Sequence, residues 1–87
     1  MFINKAKDGK NNLCGSAIAQ LRKERNISQR MLADQMQLMG LDIDKNAIQR
    51  IEAGQRFVTD IELLFFSDWF GIPVDRLLRH PSEFQLP

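Results

Sequence analysis

Three helix-start residues and three stop glycines alternate along the middle of this chain. Ser28, Asp44 and Thr59 can each accept a hydrogen bond from a backbone N–H two or three residues on. Gly40, Gly54 and Gly71 each follow about three helical turns later, where a left-handed residue closes a helix at low cost. The strongest of these signals is Thr59-Asp60-Ile61-Glu62, a capping box in which the Thr and Glu side chains satisfy each other's backbone donors. A chain punctuated this way folds into short helices.

The apolar residues fall between those marks. Leu13, Ala17, Ile18 and Leu21 repeat at three and four, so the spacing predicts a first helix from Leu13 to Arg25. Met31, Leu32, Met36 and Met39 mark the apolar face of a second, and Ala47, Ile48 and Ile51 that of a third. Leu63, Leu64, Phe65, Phe66, Trp69 and Phe70 make the fourth apolar on most sides, and so the central buried helix. Pro73 opens a short fifth carrying Leu77 and Leu78, since proline is tolerated in a first turn. No strand pattern and no internal repeat is present. The expected class is all-α with five helices, one domain over 13–80, a flexible basic arm over 1–12 and a loose tail over 81–87.

At 87 residues the chain has one small core, burying only about 60% of its unfolded surface. A single Cys excludes an internal disulfide. The longest apolar run, Leu63 to Phe66, is far short of the ~20 residues that span a bilayer. No secretory pattern opens the chain, so the expected compartment is the cytoplasm, with no membrane partner. The net charge is only +1, but it is unevenly spread. Residues 1–30 hold seven basic and two acidic side chains; residues 57–87 hold two basic and five acidic. Either this is a scatter of solvated charge or one end of the molecule faces a polyanion.

An ordered series of short motifs bears on that choice. Ile18-Ala-Gln-Leu21-Arg22, Ser28-Gln29, Leu32-Ala33, Ile48-Gln-Arg50-Ile51-Glu52-Ala53-Gly54, Leu63-Leu64 and Phe70-Gly71-Ile72-Pro73-Val74-Asp75-Arg76-Leu77 follow one another. The series resembles the lambda-repressor/Cro-like, or Xre-type, helix-turn-helix regulators over roughly residues 13–79. The resemblance implies a five-helix DNA-binding domain whose third helix lies in the major groove of double-stranded DNA. One stretch departs from the usual pattern: Gln37 to Asp44 lengthens helix 2 or the turn after it, as in a subset of the family.

A helix that reads DNA presents polar side chains near its N-terminus and packs its back face inward. Lys45, Asn46, Gln49 and Arg50 meet the first demand, and Ala47, Ile48 and Ile51 the second. Asn pairs two-pronged with adenine, and Arg or Lys with guanine. By resemblance Lys45, Asn46 and Arg50 match base-contacting positions, with Gln49 on the neighbouring face. Gln29 and Arg56 match positions that touch the DNA backbone, and Arg30 is a further backbone candidate. Glu52 is expected to be structural, with Arg22 or Arg25 as partner; the alternative is accepting from a cytosine amino group.

The remaining reactive residues point to no chemistry. Cys14 reads as a small packing residue, His80 is a lone histidine, and the methionines of helix 2 read as core filler. Asp42 and Asp44 are turn and cap residues. No phosphate-binding glycine loop, cofactor motif, metal-ligand set or acid/base constellation is found, so no enzyme is expected. Trp69 with Leu77, Leu78 or Phe84 forms either core packing or a dimer patch. The expected function is a sequence-specific DNA-binding regulator, a repressor that occupies an operator as a homodimer. The rivals are an antitoxin that binds a toxin partner and also DNA, and a domain of the same fold whose DNA surface is vestigial and which binds only protein.

Overall fold

The computed structural model describes residues 5, 6 and 8–79, and among them the elements are five helices: α1 Gly15–Glu24, α2 Gln29–Leu38, α3 Lys45–Glu52, α4 Asp60–Phe70 and α5 Val74–Leu78. The three expected caps all form. Ser28 Oγ accepts from the Met31 N–H at 3.0 Å, and Asp44 Oδ1 from the Ala47 N–H at 2.8 Å. In the capping box Thr59 Oγ1 accepts from the Glu62 N–H at 3.1 Å while Glu62 Oε1 accepts from the Thr59 N–H at 2.9 Å.

Helix α1 starts two residues later than the apolar spacing predicts. Asn12 Oδ1 accepts the Gly15 N–H at 2.8 Å, and Leu13, outside the helix, is 59% exposed. A side-chain acceptor ahead of the stripe outweighed the stripe itself, because the orphan N–H groups of the first turn need partners. Residues 11 and 12, which the sequence places in a flexible basic arm, are hydrogen-bonded into the domain.

Four of the helices end alike. Ile27, Leu41, Gln55 and Ile72 donate their N–H groups to the carbonyls five residues back, those of Arg22, Met36, Arg50 and Ser67. The preceding residue takes a positive φ each time: Asn26 at 57°, Gly40 at 102°, Gly54 at 77° and Gly71 at 71°. At the first three ends that residue also donates three back, Asn26 to Lys23, Gly40 to Gln37 and Gly54 to Ile51, which completes the Schellman arrangement, while Gly71 donates to Ser67. Asn26 is the one non-glycine residue of the four, as asparagine tolerates the left-handed region.

The core takes side chains from every helix: Ile18 from α1, Leu32 and Met36 from α2, Ile48 and Ile51 from α3, Phe66 from α4 and Leu77 from α5 are fully buried. At about 1.5–3 kcal/mol each, these are the main favourable term in so short a chain. Cys14 belongs to this core; burial, with a smaller contribution from the Glu62 charge, pushes its thiol up to about 11. Two expectations about helix faces do not hold. Met31 and Met39 are 48% and 39% exposed, and the inner face of α2 is Leu32, Ala33 and Met36. Helix α4 is not buried all round: Ile61 and Leu64 are 64% and 54% exposed, while Glu62, Phe66, Ser67 and Phe70 face inward. A helix in a small domain meets the core along one stripe, so apolar residues in excess of that stripe stay in solvent. Among the described residues no helix is long and apolar enough to cross a membrane.

The lengthened stretch between α2 and α3 is a packed connector. Ile43 is 2% exposed and inserts into the core, and Gln37 Nε2 donates to the Ile43 carbonyl at 2.8 Å. The extra length belongs to the turn over residues 39–44, and Ile43 anchors it. We therefore expect Ile43→Ala to lower the unfolding free energy by about 2–4 kcal/mol, as a cavity under a fixed backbone does; urea titration followed by circular dichroism measures it.

Candidate nucleic-acid interface

Helix α3 is divided lengthwise. Ala47, Ile48 and Ile51 are buried, whereas Lys45, Asn46, Gln49 and Arg50 are all exposed on the opposite side. The division follows from the helical repeat: positions 45, 46, 49 and 50 are the one, four and five spacing that shares a face. Lys45 and Asn46 occupy the first turn, where the free N–H groups and the positive end of the helix dipole favour an anion. The structure brings these four side chains onto one surface.

The opposite end of α3 is held by an ion pair. Arg22 of α1 donates from Nε to Glu52 Oε2 at 2.7 Å and from Nη2 to Glu52 Oε1 at 2.9 Å. The two side chains are only 12% and 7% exposed. Arg22 Nη1 also donates to the Ile27 carbonyl at 2.9 Å, fixing the turn between α1 and α2. The hydrogen bond to Glu52 holds the guanidinium above its already high ordinary pKa, despite partial burial. Glu52 is thus the structural residue expected, with Arg22 as its partner. Both its oxygens accept from side chains of the protein, Oε2 from Arg22 and Oε1 from Arg22 and Gln29.

Arg25 takes a separate role. It donates to the Phe70 carbonyl at 2.6 Å and lies over the Trp69 and Phe70 rings, 5.2 and 5.0 Å from their centroids. Trp69 is half-buried and packs edge-on against Phe70, and Leu77 is buried, so these residues serve packing; Phe84 lies outside the described residues.

The residues expected on the DNA backbone divide. Arg30 is exposed in the first turn of α2. Gln29, the first residue of α2, donates its side-chain N–H to Glu52 Oε1 at 3.0 Å, so its amide is oriented by the same carboxylate that binds Arg22. Arg56 is committed elsewhere: Nη1 and Nη2 donate to the two oxygens of Glu62 at 3.0 and 2.9 Å, and Nη1 also reaches the Phe57 carbonyl. Sequence spacing gave no sign of this pair, because residues six apart across a loop have no fixed geometry until the loop folds. Glu62 was legible only as half of the capping box, and it does both jobs.

Burial pushes the Glu62 carboxyl up, but Arg56 and the Thr59 backbone N–H outweigh it, and the net shift is below the ordinary carboxylate value. A lowered folded-state pKa means stability that is complete above the unfolded value of about 4.3 and lost as pH falls through the lower folded one. Glu62→Gln keeps the shape and the cap but removes the charge. It should cost about 1.5–3 kcal/mol at pH 7 and much less in acid. Urea unfolding of both proteins across this range checks it: an equal deficit at every pH would assign the loss to packing instead.

The chain's similarity to known proteins agrees with this geometry. A helix-turn-helix family model matches residues 18–77, from the middle of α1 to the end of α5. No curated protein and no solved structure matches significantly. The matched span holds the α2–turn–α3 unit and covers well over half of the chain, which therefore belongs to the lambda-repressor/Cro-like helix-turn-helix family of DNA-binding regulators.

Proposed function

We propose that this protein is a sequence-specific regulator that binds an operator in double-stranded DNA as a dimer and represses by occupancy. The observation that carries the reading is the division of α3: four exposed polar side chains over a buried apolar back, on a helix clamped to α1 and α2 through Glu52. Lys45, Asn46, Gln49 and Arg50 read base edges. Arg30 and Gln29 meet phosphates at the start of α2, with Gln29 pre-oriented by Glu52. Arg56, tied to Glu62, reaches the backbone only by its outer edge. One helix of eight residues reads few base pairs, so two copies on half-sites about one helical turn apart supply the remaining specificity.

A second reading has an observation of its own. Phe57, Ile61 and Leu64, from the loop after α3 and from α4, are apolar yet 62%, 64% and 54% exposed. That surface suits a protein partner, as an antitoxin's would, as well as it suits a second copy of the chain.

Selection from random duplex DNA with the purified protein tests the first reading, and a co-purifying protein partner would favour the second. Enrichment of one sequence, arranged as paired half-sites, is the expected outcome; a pool that stays random removes the DNA reading. Against the selected site, Arg50→Ala should cost about 1–3 kcal/mol and relax preference at one base position. A uniform loss on every sequence would move Arg50 to the phosphates. Affinity of the parent protein should fall steeply as salt rises, because phosphate contacts release counterions.

A further inference from the structure

Two adjacent asparagines, Asn11 and Asn12, lie shortly before α1. They close the far end of α3. The Ile51 carbonyl at the end of α3 accepts the Gly54 N–H at 3.0 Å, and it and the carbonyls of the following loop take further bonds from this segment. Here Asn12 Nδ2 donates to the Ile51 carbonyl at 3.0 Å and to the Arg56 carbonyl at 2.8 Å, while its Oδ1 accepts the Gly15 N–H. Both amide hydrogens and the amide oxygen of one side chain are used. Asn11 donates its backbone N–H to the Gly54 carbonyl at 2.8 Å and its side-chain N–H to the Gln55 carbonyl at 3.0 Å.

The approach is close on both sides. A methyl group placed on Gly15 would sit 2.1 Å from the Ile51 carbonyl oxygen, so the start of α1 is pressed onto the end of α3. Lys10 crosses directly over Gly54, where an added Cβ would meet its side chain at 2.6–2.9 Å. The exit of α3 is therefore gripped by the segment ahead of α1, while the ion pair to Arg22 holds Glu52 from the body of α1.

We infer that Asn11 and Asn12 are positioning residues for DNA recognition: they set the angle and depth at which α3 presents Lys45, Asn46, Gln49 and Arg50, without touching DNA themselves. The inference rests on the proposed DNA-binding function. The physical reason is leverage. Helix α3 has only two turns, so a small tilt at its C-terminal end moves every exposed side chain on it. Bidentate contacts to base edges tolerate little displacement, whereas phosphate contacts through flexible lysines and arginines tolerate more. Loosening the clasp should thus reduce specific binding more than non-specific binding. Asn12 is the stronger member, since it links α1, α3 and the following loop at once, whereas Asn11 Oδ1 is buried with no hydrogen-bond partner.

The test uses Asn12→Ser, which keeps an acceptor for the Gly15 N–H but cannot span both carbonyls, and Asn11→Ala as a milder variant that guards against loss of folding. For each folded protein, affinity is measured for the selected duplex and for a scrambled one, over a range of salt. Asn12→Ser is expected to weaken binding to the selected duplex by about 3- to 30-fold, the range for residues that act without contacting the ligand. Affinity for the scrambled duplex and the salt slope should stay near the parent's. Equal losses on both duplexes, or none on either by a folded variant, overturn the positioning role while leaving the DNA reading intact. A parent protein that selects no duplex overturns the DNA reading itself, and the positioning role with it. In that event amide exchange still reads the clasp alone, as faster exchange at Ala53, Gly54 and Gln55 in the variant.

Discussion

The carboxylate of Glu52 is where the fold and the candidate interface meet. It receives two hydrogen bonds from Arg22 and one from Gln29, and so joins α1, the start of α2 and the end of α3 at one point. A nearly buried ion pair gains little net stability, because desolvating both charges offsets their attraction. Its worth here is directional. The planar guanidinium and carboxylate meet in a two-pronged fork that accepts one relative orientation, and Arg22 Nη1 extends that constraint to the Ile27 carbonyl. Burial of Ile18, Ile48 and Ile51 holds the helices together without directional preference. The fork adds the direction.

Arg56 and Glu62 repeat the device one loop further on. Their pair joins the exit of α3 to the first turn of α4, and Glu62 is the inner half of the capping box as well. With Asn11 and Asn12 on the other side, the short segment 51–56 is held from three directions, although it contains no regular structure beyond the end of α3. In a domain with so small a core, polar contacts of defined geometry fix what apolar packing leaves loose. They also give the near-neutral total a physical meaning. Glu52 and Glu62 are neutralised internally by Arg22 and Arg56, so the charge left on α3's outer face is that of Lys45 and Arg50.

The start and stop of nearly every helix could be read from the sequence. Caps act over three or four residues, and Ser28, Asp44 and Thr59 bond to N–H groups that the helix itself brings near. Burial was harder to read. Leu32 and Met31 are adjacent and equally apolar, yet one is fully buried and the other half exposed, because which residue faces the core depends on where neighbouring helices lie. For the same reason Ile61 and Leu64 stand in solvent on a helix that is apolar on most sides and reads as the central buried one. The exposed face of α3 was legible because its repeat is local. The tie of Arg56 to Glu62 and the placement of Gln29 on Glu52 were not.

By itself, then, the sequence determined the number and kind of elements, the residues that cap them and the apolar back of α3. Those properties depend on neighbours within one or two helical turns, whose geometry any α-helix supplies. The tertiary structure alone decided which arginine pairs with which carboxylate, how the turn over residues 39–44 is anchored by Ile43, and that Asn11 and Asn12 fasten onto the end of α3. Those contacts join residues between 6 and 44 positions apart in the chain. Such distances have no fixed value until the helices have packed.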